Sequence, residues 1–139
     1  MEITREHPES GRGPAERFTG EVWMDEVAAA LPPSRVRFLS VHFAPGARTA
    51  WHTHPVGQVL HVTEGEGRVQ RRDGPVELIR TGDTVLIEPG EEHWHGAAPE
   101  TFMTHIAVHE VDAEGNAADW GEHVTDEEYR TEPSGAGQG

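Results

Sequence analysis

Two closely spaced pairs of histidines are the residues of this sequence best suited to chemistry. His52 is separated from His54 by one residue, as His93 is from His95. Side chains two apart on a β-strand point to the same face, so His52, His54 and the later Gln58 are predicted to converge on one side of a sheet. Imidazole nitrogens and an amide oxygen suit a divalent transition metal. An isolated His-x-His pair is nevertheless more often a structural pair in the core or on the surface. The remaining sequence has to decide between a metal site and such a structural pair.

A third predicted strand extends this histidine-rich face. Residues 102–110 place His105 and His109 at the same parity, so that six of the ten histidines lie on one face of three predicted strands. A buried neutral imidazole needs hydrogen-bond partners or a metal, which favours a functional site. Three structural alternatives stay open: a packed core pair for His105 and His109, a rim contact for His95, and a plain polar role for Gln58.

Four other side chains are predicted to point away from this face. His42 and His61 have the opposite parity on their strands, and Trp51 and Trp94 each neighbour a histidine of a pair. We therefore expect the two histidines to be structural or exposed. The two tryptophans are expected to pack between sheets or across a dimer.

The composition limits the classes of partner. The 139-residue chain has a formal net charge of -14, which argues against nucleic acid and anionic membrane surfaces because both are polyanions. It contains no cysteine, and hence no thiolate ligand or cysteine nucleophile. No apolar run approaches the roughly 18 residues of a spanning helix, and the N-terminus has no hydrophobic signal segment, so a cytoplasmic location is expected.

Short alternating segments separated by glycine and proline predict an all-β sandwich or barrel. The predicted strands are residues 18–24, 36–43, 52–62, 68–72, 76–80, 84–87 and 102–110. Residues 64–67 are predicted to form a hairpin turn, residues 25–31 a short helical turn, and residues 125–129 a capped short helix.

The length is that of one domain, divided into three parts. We expect an N-terminal arm over residues 1–17 and a barrel over residues 18–124, with its core motifs at 36–110. The short helix and a frayed tail are expected over residues 125–139.

Two motifs resemble the signature motifs of the cupin superfamily. The first, residues 46–65, contains the first histidine pair and Gln58, and the second, residues 82–93, ends on His93. The resemblance implies a single-domain cupin (a double-stranded β-helix or jelly-roll barrel) with short N- and C-terminal extensions. The superfamily pattern has Glu where this chain has Gln58, and Pro where it has Glu88. The first of these departures changes the charge of the expected metal site.

Over nearly its whole length the chain is similar to the bacterial cupin-type hydroxynitrile lyases, which cleave mandelonitrile-type cyanohydrins. This resemblance implies a set of metal ligands, His52, His54, Gln58 and His93. The implied catalytic residues are His105, His95 and His109, and the implied substrate-binding residues are Leu39, Val41 and Thr49. The family has a smaller residue at the position of Leu39 and Gln at that of His109, differences that would alter substrate fit.

The implied function is a metal-dependent lyase that cleaves or forms the carbon–carbon bond of cyanohydrins, with the metal as Lewis acid and His105 as general base. The ligand set favours Mn or Fe, with Zn, Ni or Co as substitutes. The alternatives are a cupin dioxygenase acting on a diketone or phenol and a non-catalytic small-molecule-binding cupin. The expected partners are a small-molecule substrate and further copies of the chain, in a homodimer or higher homo-oligomer.

Overall fold

Alternation of apolar and polar residues makes β-strands the main regular structure of the chain, as the sequence predicts. The computed structural model describes residues 1–134, and the rest of the predicted frayed tail, residues 135–139, lies outside the described residues. The elements are β1 (Gly11–Arg12), β2 (Phe18–Thr19), β3 (Val22–Ala29), β4 (Val36–Phe43), β5 (Arg48–Thr49), β6 (His52–Thr53), β7 (Gln58–Arg71), β8 (Glu77–Arg80), β9 (Thr84–Ile87), β10 (His93–Ala97), β11 (Met103–Glu110), β12 (Asp119–Trp120) and α1 (Asp126–Tyr129).

The strands curl into an antiparallel barrel in the order β1-β3-β4-β11-β7-β10-β5-β2. Strand β7 joins the two layers, because its first half pairs with β9 and β11 and its second half with β8 and β10. Strands β6 and β12 pair with each other beside β10. The all-β barrel predicted from the sequence is therefore confirmed, and β4 has the predicted bounds.

The predicted hairpin turn at residues 64–67 is wrong, since β7 passes through it without interruption. Gly65 has a φ of 79°, and a Cβ there would collide with the backbone of Phe102, which directly precedes the neighbouring strand β11. Glycine thus lets the strand bend and a second backbone approach closely, which is a different use of glycine from closing a turn.

The predicted helical turn at residues 25–31 is also wrong, because β3 continues to Ala29. Residues of this segment pair with β4, as in Asp25 opposite Ser40. The predicted strand at residues 18–24 is divided at Gly20, whose φ is 84°. This break sends β2 to one layer of the barrel and β3 to the other.

The predicted C-terminal helix is confirmed as a short capped turn. The Thr125 hydroxyl accepts from the Glu128 backbone N–H at 3.1 Å, and the Glu128 carboxylate accepts from the Thr125 N–H at 2.9 Å, which forms a capping box. Beyond the helix, the Ser134 N–H donates to the Val76 carbonyl at 2.7 Å. Between residues 1 and 134 no helix has the length and apolar character needed to cross a membrane.

Two buried clusters lie on opposite faces of the strands that carry the histidine pairs. The larger fills the barrel and includes Phe43, Leu60 and Val62. The smaller lies under α1 and is defined here as the outer cluster: Trp51, Val76, Trp94, Val124 and Tyr129.

Candidate active site

A cavity of about 600 Å³ opens inside the barrel. It brings together nine of the ten residues predicted for the site, and only His93 does not line it directly. The lining set from the prediction is Leu39, Val41, Thr49, His52, His54, Gln58, His95, His105 and His109. Alternation along the strands explains most of this convergence, because all of these residues except His54, which follows the end of β6, lie on strands and face inward.

The two histidine pairs meet across the pairing of β6 with β10, in which His52 lies opposite His93. The ring centroids of these two residues are 4.2 Å apart, and that of His54 lies 5.0 Å from His52 and 5.5 Å from His93. One ring nitrogen each of His52, His93 and His95 lies within 4.8 Å of the other two. The described chain therefore holds a three-histidine group of a size that fits a metal ion, with a fourth imidazole at its edge.

The tautomers of three of these histidines follow from their hydrogen bonds. The Nδ1 atoms of His52, His54 and His93 lie 2.9, 2.8 and 2.9 Å from the backbone carbonyls of Ala50, Ala117 and Glu91, respectively. A carbonyl can only accept, so each Nδ1 carries the hydrogen and each Nε2 keeps its lone pair. This is the arrangement in which histidines bind metal ions through Nε2.

Several buried polar atoms around the cavity lack a hydrogen-bond partner among residues 1–134. They are Nε2 of His54, His93 and His95, Oε1 of Gln58, and Nδ1 of His105 and His109. Leaving a buried acceptor unpaired costs about 1–3 kcal/mol, so a group of them in one place needs an explanation. A divalent cation explains those that belong to the predicted ligands, because lone-pair nitrogen and oxygen atoms are what it binds. The residues present therefore fit a metal.

Burial keeps these imidazoles neutral. Removal from water lowers the pKa of His93 and of His105 from 6.5 to about 4. The same cause lowers the pKa of His52 and His95 well below 6.5, with the neighbouring histidines acting in the same direction. Burial also lowers the pKa of His54, against the opposing effect of its Ala117 and Gln58 neighbours. A neutral imidazole can accept a proton or bind a metal, whereas an imidazolium can do neither.

His95 and His105 form a hydrogen-bonded pair in the wall of the cavity. His105 Nε2 lies 2.9 Å from His95 Nδ1, and both residues are buried against the Phe43 ring. The Thr49 hydroxyl accepts from the backbone N–H of His95 at 3.2 Å. Thr49 thus holds His95 in place, in addition to lining the cavity.

His109 lies at the other side of the ligand group. Its ring is stacked against that of His54 at 5.4 Å, and its strand position is opposite Gln58. Burial, followed by the electrostatic effects of His54 and Arg37, lowers its pKa from 6.5 to about 4. His109 therefore presents a neutral imidazole to the cavity, as His105 does.

The side chains predicted to point away from the site do so. His42 is held on the outer face by Asp25 at 2.8 Å and Thr104 at 3.1 Å, and His61 is exposed. Trp51 and Trp94 belong to the outer cluster. Their packing is between β-structure and the C-terminal helix.

Several residues that line the cavity were not predicted from the sequence. Phe18 and Met24 add to the apolar wall, and Arg17 lies at the mouth. Trp120 and Ala117 come from a polar segment without strand periodicity. A spacing rule could have found Met24, which has the inward parity of β3, but nothing local marks Trp120 or Ala117.

The family model described as the cupin domain matches residues 39–115. The protein named (R)-mandelonitrile lyase from Granulicella tundricola is 57% identical over 131 residues, which cover 94% of this chain and 99% of that protein.

Solved structures agree with this match. A cupin-like protein from Thermotoga maritima has a TM-score of 0.81 and 38% identity, covering 93% of this chain and 96% of its own. The polyketide cyclase RemF from Streptomyces resistomycificus, at 17% identity and a TM-score of 0.70, covers 93% of this chain and 91% of its own and shares the fold alone.

Proposed function

We propose that this chain, which belongs to the cupin domain family, is a metal-dependent lyase that cleaves or forms the carbon–carbon bond of cyanohydrins. The observation that carries the proposal is the convergence of unpaired, neutral imidazoles and an amide oxygen on one cavity. The relative named (R)-mandelonitrile lyase supports the choice of reaction, because its 57% identity extends over nearly the whole chain.

The residues proposed to hold the metal are His52, His54, Gln58 and His93. In the three histidines of this set, Nδ1 is hydrogen-bonded to a backbone carbonyl. In His95, Nδ1 is instead hydrogen-bonded to another imidazole, and His95 is therefore assigned to proton transfer. All four proposed ligands are neutral and leave the charge of the ion undiminished. A bound divalent ion, Mn or Fe by preference, would supply a Lewis acid that stabilises negative charge on a substrate oxygen.

The hydrogen-bonded pair His95–His105 provides a route for the hydroxyl proton of the cyanohydrin. When His105 Nε2 donates to His95 Nδ1, His105 Nδ1 has a free lone pair and His95 Nε2 carries a hydrogen. His105 Nδ1 accepts the hydroxyl proton of the cyanohydrin, and the bond to the nitrile carbon breaks with its electron pair remaining on cyanide.

The same pair returns the proton to the leaving group. His95 Nε2 protonates cyanide while the Nε2 hydrogen of His105 passes to His95 Nδ1, so the products are an aldehyde and hydrogen cyanide. His109, on the other side of the ligand group, is a second neutral imidazole that orients the nitrile. The apolar wall of Leu39 and Val41 holds the aryl or alkyl group and excludes water.

The test is elemental analysis of the purified protein followed by an assay for benzaldehyde release from mandelonitrile. We expect release by the Mn-loaded protein, under air and under nitrogen alike. Absence of release with Mn, Fe and Co would contradict the lyase. Oxygen-dependent turnover of a diketone or phenol would favour the dioxygenase, and binding of a cyanohydrin without turnover would favour a non-catalytic binding protein.

Two further expectations accompany this proposal. The homodimer or higher homo-oligomer predicted from the sequence remains a prediction, and the mass measured by light scattering would test it. The preference for Mn or Fe likewise remains a prediction, which the elemental analysis tests.

A further inference from the structure

A segment after the last long strand runs along the strand that carries the first histidine pair. This segment, residues 112–122, is called the strap. In the pairing of β12 with β6, Trp120 lies opposite His52. Two backbone hydrogen bonds extend the pairing, from the Trp51 N–H to the Glu122 carbonyl at 2.8 Å and from the Gly121 N–H to the Trp51 carbonyl at 2.7 Å.

The strap touches two of the proposed metal ligands through different atoms. The Trp120 ring is stacked on the His52 imidazole, with centroids 4.4 Å apart and planes inclined by 21°. The carbonyl of Ala117 accepts from His54 Nδ1 at 2.8 Å. One contact restrains the plane of an imidazole, and the other fixes which nitrogen of an imidazole keeps its lone pair.

The strap has its own internal support at its start. The carboxylate of Asp112 accepts from the backbone N–H groups of Glu114 at 2.9 Å and Asn116 at 2.8 Å. The Asp112 N–H donates to the Asn116 carbonyl at 2.8 Å. This closed turn sets the position from which Ala117 reaches His54.

We propose that the strap is a positioning element of the metal site, with Trp120 as the positioning residue for His52 and the Ala117 carbonyl as the positioning group for His54. The inference rests on the metal site of the proposed function. It adds that the ligand geometry is determined by two groups, each more than 60 residues along the chain from the ligand that it contacts. Loss of such outer partners typically lowers metal affinity about 10–100-fold.

The chain offers a matched control in a second tryptophan. Trp120 has the guanidinium of Arg17 over its ring at 5.4 Å, and Trp23 has that of Arg12 at 6.0 Å. Within residues 1–134, only Trp120 of these two stacks on a histidine. Replacing either one therefore removes an indole and a cation–π contact, but only the replacement of Trp120 removes support from a ligand.

The experiment measures the dissociation constant for Mn(II) and the visible absorption bands of the Co(II)-loaded protein, in which band position and intensity report ligand geometry. We expect Trp120→Ala to weaken Mn(II) binding about 10-fold or more and to change the Co(II) bands. Trp120→Phe, which keeps a stacking ring, should recover most of both, and Trp23→Ala should match the unchanged protein.

A second variant keeps the test valid if Trp120→Ala does not fold. Asp112→Ala removes the support of the strap without touching the cavity wall and should also weaken Mn(II) binding, whereas Asp112→Asn, which keeps an acceptor oxygen, should have a smaller effect. Unchanged affinity and unchanged Co(II) bands in Trp120→Ala and Asp112→Ala would overturn the strap inference alone. Failure of the unchanged protein to bind any divalent metal would overturn the metal site and this inference with it.

Discussion

The two faces of β10 are both fully buried, yet they do different things. His95 lines the cavity and His93 joins the histidine group at its edge, whereas Trp94 between them points into the outer cluster. Of the consecutive residues Trp51 and His52, the first likewise belongs to the outer cluster and the second lines the cavity. A difference of one position in the chain thus separates the histidine-lined cavity from the packed outer cluster, because side chains alternate along a strand.

Among residues 1–134, unpaired side-chain acceptors lie on the cavity face and not toward the outer cluster. The unpaired atoms toward the cavity include lone-pair atoms such as His54 Nε2 and Gln58 Oε1, while those toward the outer cluster are N–H donors of Trp51, Arg48 and Arg68. A donor cannot bind a cation, whereas a lone pair can. The comparison teaches that burial alone does not mark the site; unpaired acceptors beside one another do.

The outer cluster is stabilised by contacts that leave little for a ligand to add. Trp94 Nε1 donates to Gln70 Oε1 at 2.8 Å, and the Tyr129 hydroxyl donates to the Ala97 carbonyl. The guanidinium groups of Arg48 and Arg68 lie 4.5 and 5.4 Å from the Tyr129 ring. We therefore assign stability to this face and chemistry to the other, and the following predictions test that division.

The largest effect is expected from His93→Ala, on the cavity face. Loss of a ligand should remove the bound metal and lower lyase activity by more than about 10²-fold, the upper end of what loss of an outer partner alone causes. Metal content and benzaldehyde release are the measurements. His61→Ala, which removes an exposed histidine of the outer face, is the control and should change neither.

Trp94→Ala, one residue away, should lower stability and leave metal binding intact. Truncating this fully buried ring should lower the free energy of unfolding by about 3–5 kcal/mol, while the folded fraction still binds metal. Urea unfolding and metal titration measure the two quantities, and Trp94→Phe should be milder because it keeps most of the buried area. Loss of metal binding from folded Trp94→Ala would contradict the division between the faces.

His105→Ala separates chemistry from metal binding within the cavity face. We expect turnover to fall about 10²-fold, as for removal of a general base, with metal content unchanged. Steady-state kinetics and elemental analysis check this. A variant with normal turnover would show that another group takes the hydroxyl proton.

Acidification should affect stability through the cavity face, and this is the smallest effect. The pKa of His105 is about 4 in the folded chain against 6.5 ordinarily, so the unfolded chain binds more protons between these values and stability falls as pH falls from 6.5 toward 4. At pH 5.5 this one group should cost the metal-free protein about 1 kcal/mol relative to pH 7.

Thermal or urea unfolding at the two pH values measures that change. His105→Gln, which does not titrate, should show a weaker pH dependence. Equal pH dependence in the two proteins would mean that His105 is not held neutral by burial.

Much of this molecule could be predicted from local patterns alone. Alternation placed β4 with its observed bounds and assigned opposite faces to His42 and Leu39, and the same rule assigned opposite faces to Trp94 and His95. The capping box at Thr125 is a four-residue pattern that needs no other part of the chain. These features depend on interactions between near neighbours, which is why the sequence shows them.

Other features depended on partners distant in the chain. Gly65 looked like a turn residue, but only the backbone of Phe102 beside it shows that it allows a close approach. Residues 25–29 have no strong strand pattern and became a strand by pairing with β4. In both cases a backbone partner supplied the interaction that decided the conformation.

The features of the candidate site likewise separate into those set by local patterns and those set by residues distant in the chain. The sequence by itself determined which side chains face inward, because strand parity is a local property, and it thereby identified His52, His54, Gln58, His95 and His105 as a set. Only the tertiary structure decided which ring nitrogens keep their lone pairs and what holds the rings in place. Those depend on the Ala117 carbonyl and the Trp120 ring, which reach the site from a segment with no periodic pattern, through contacts that form only when the chain is folded.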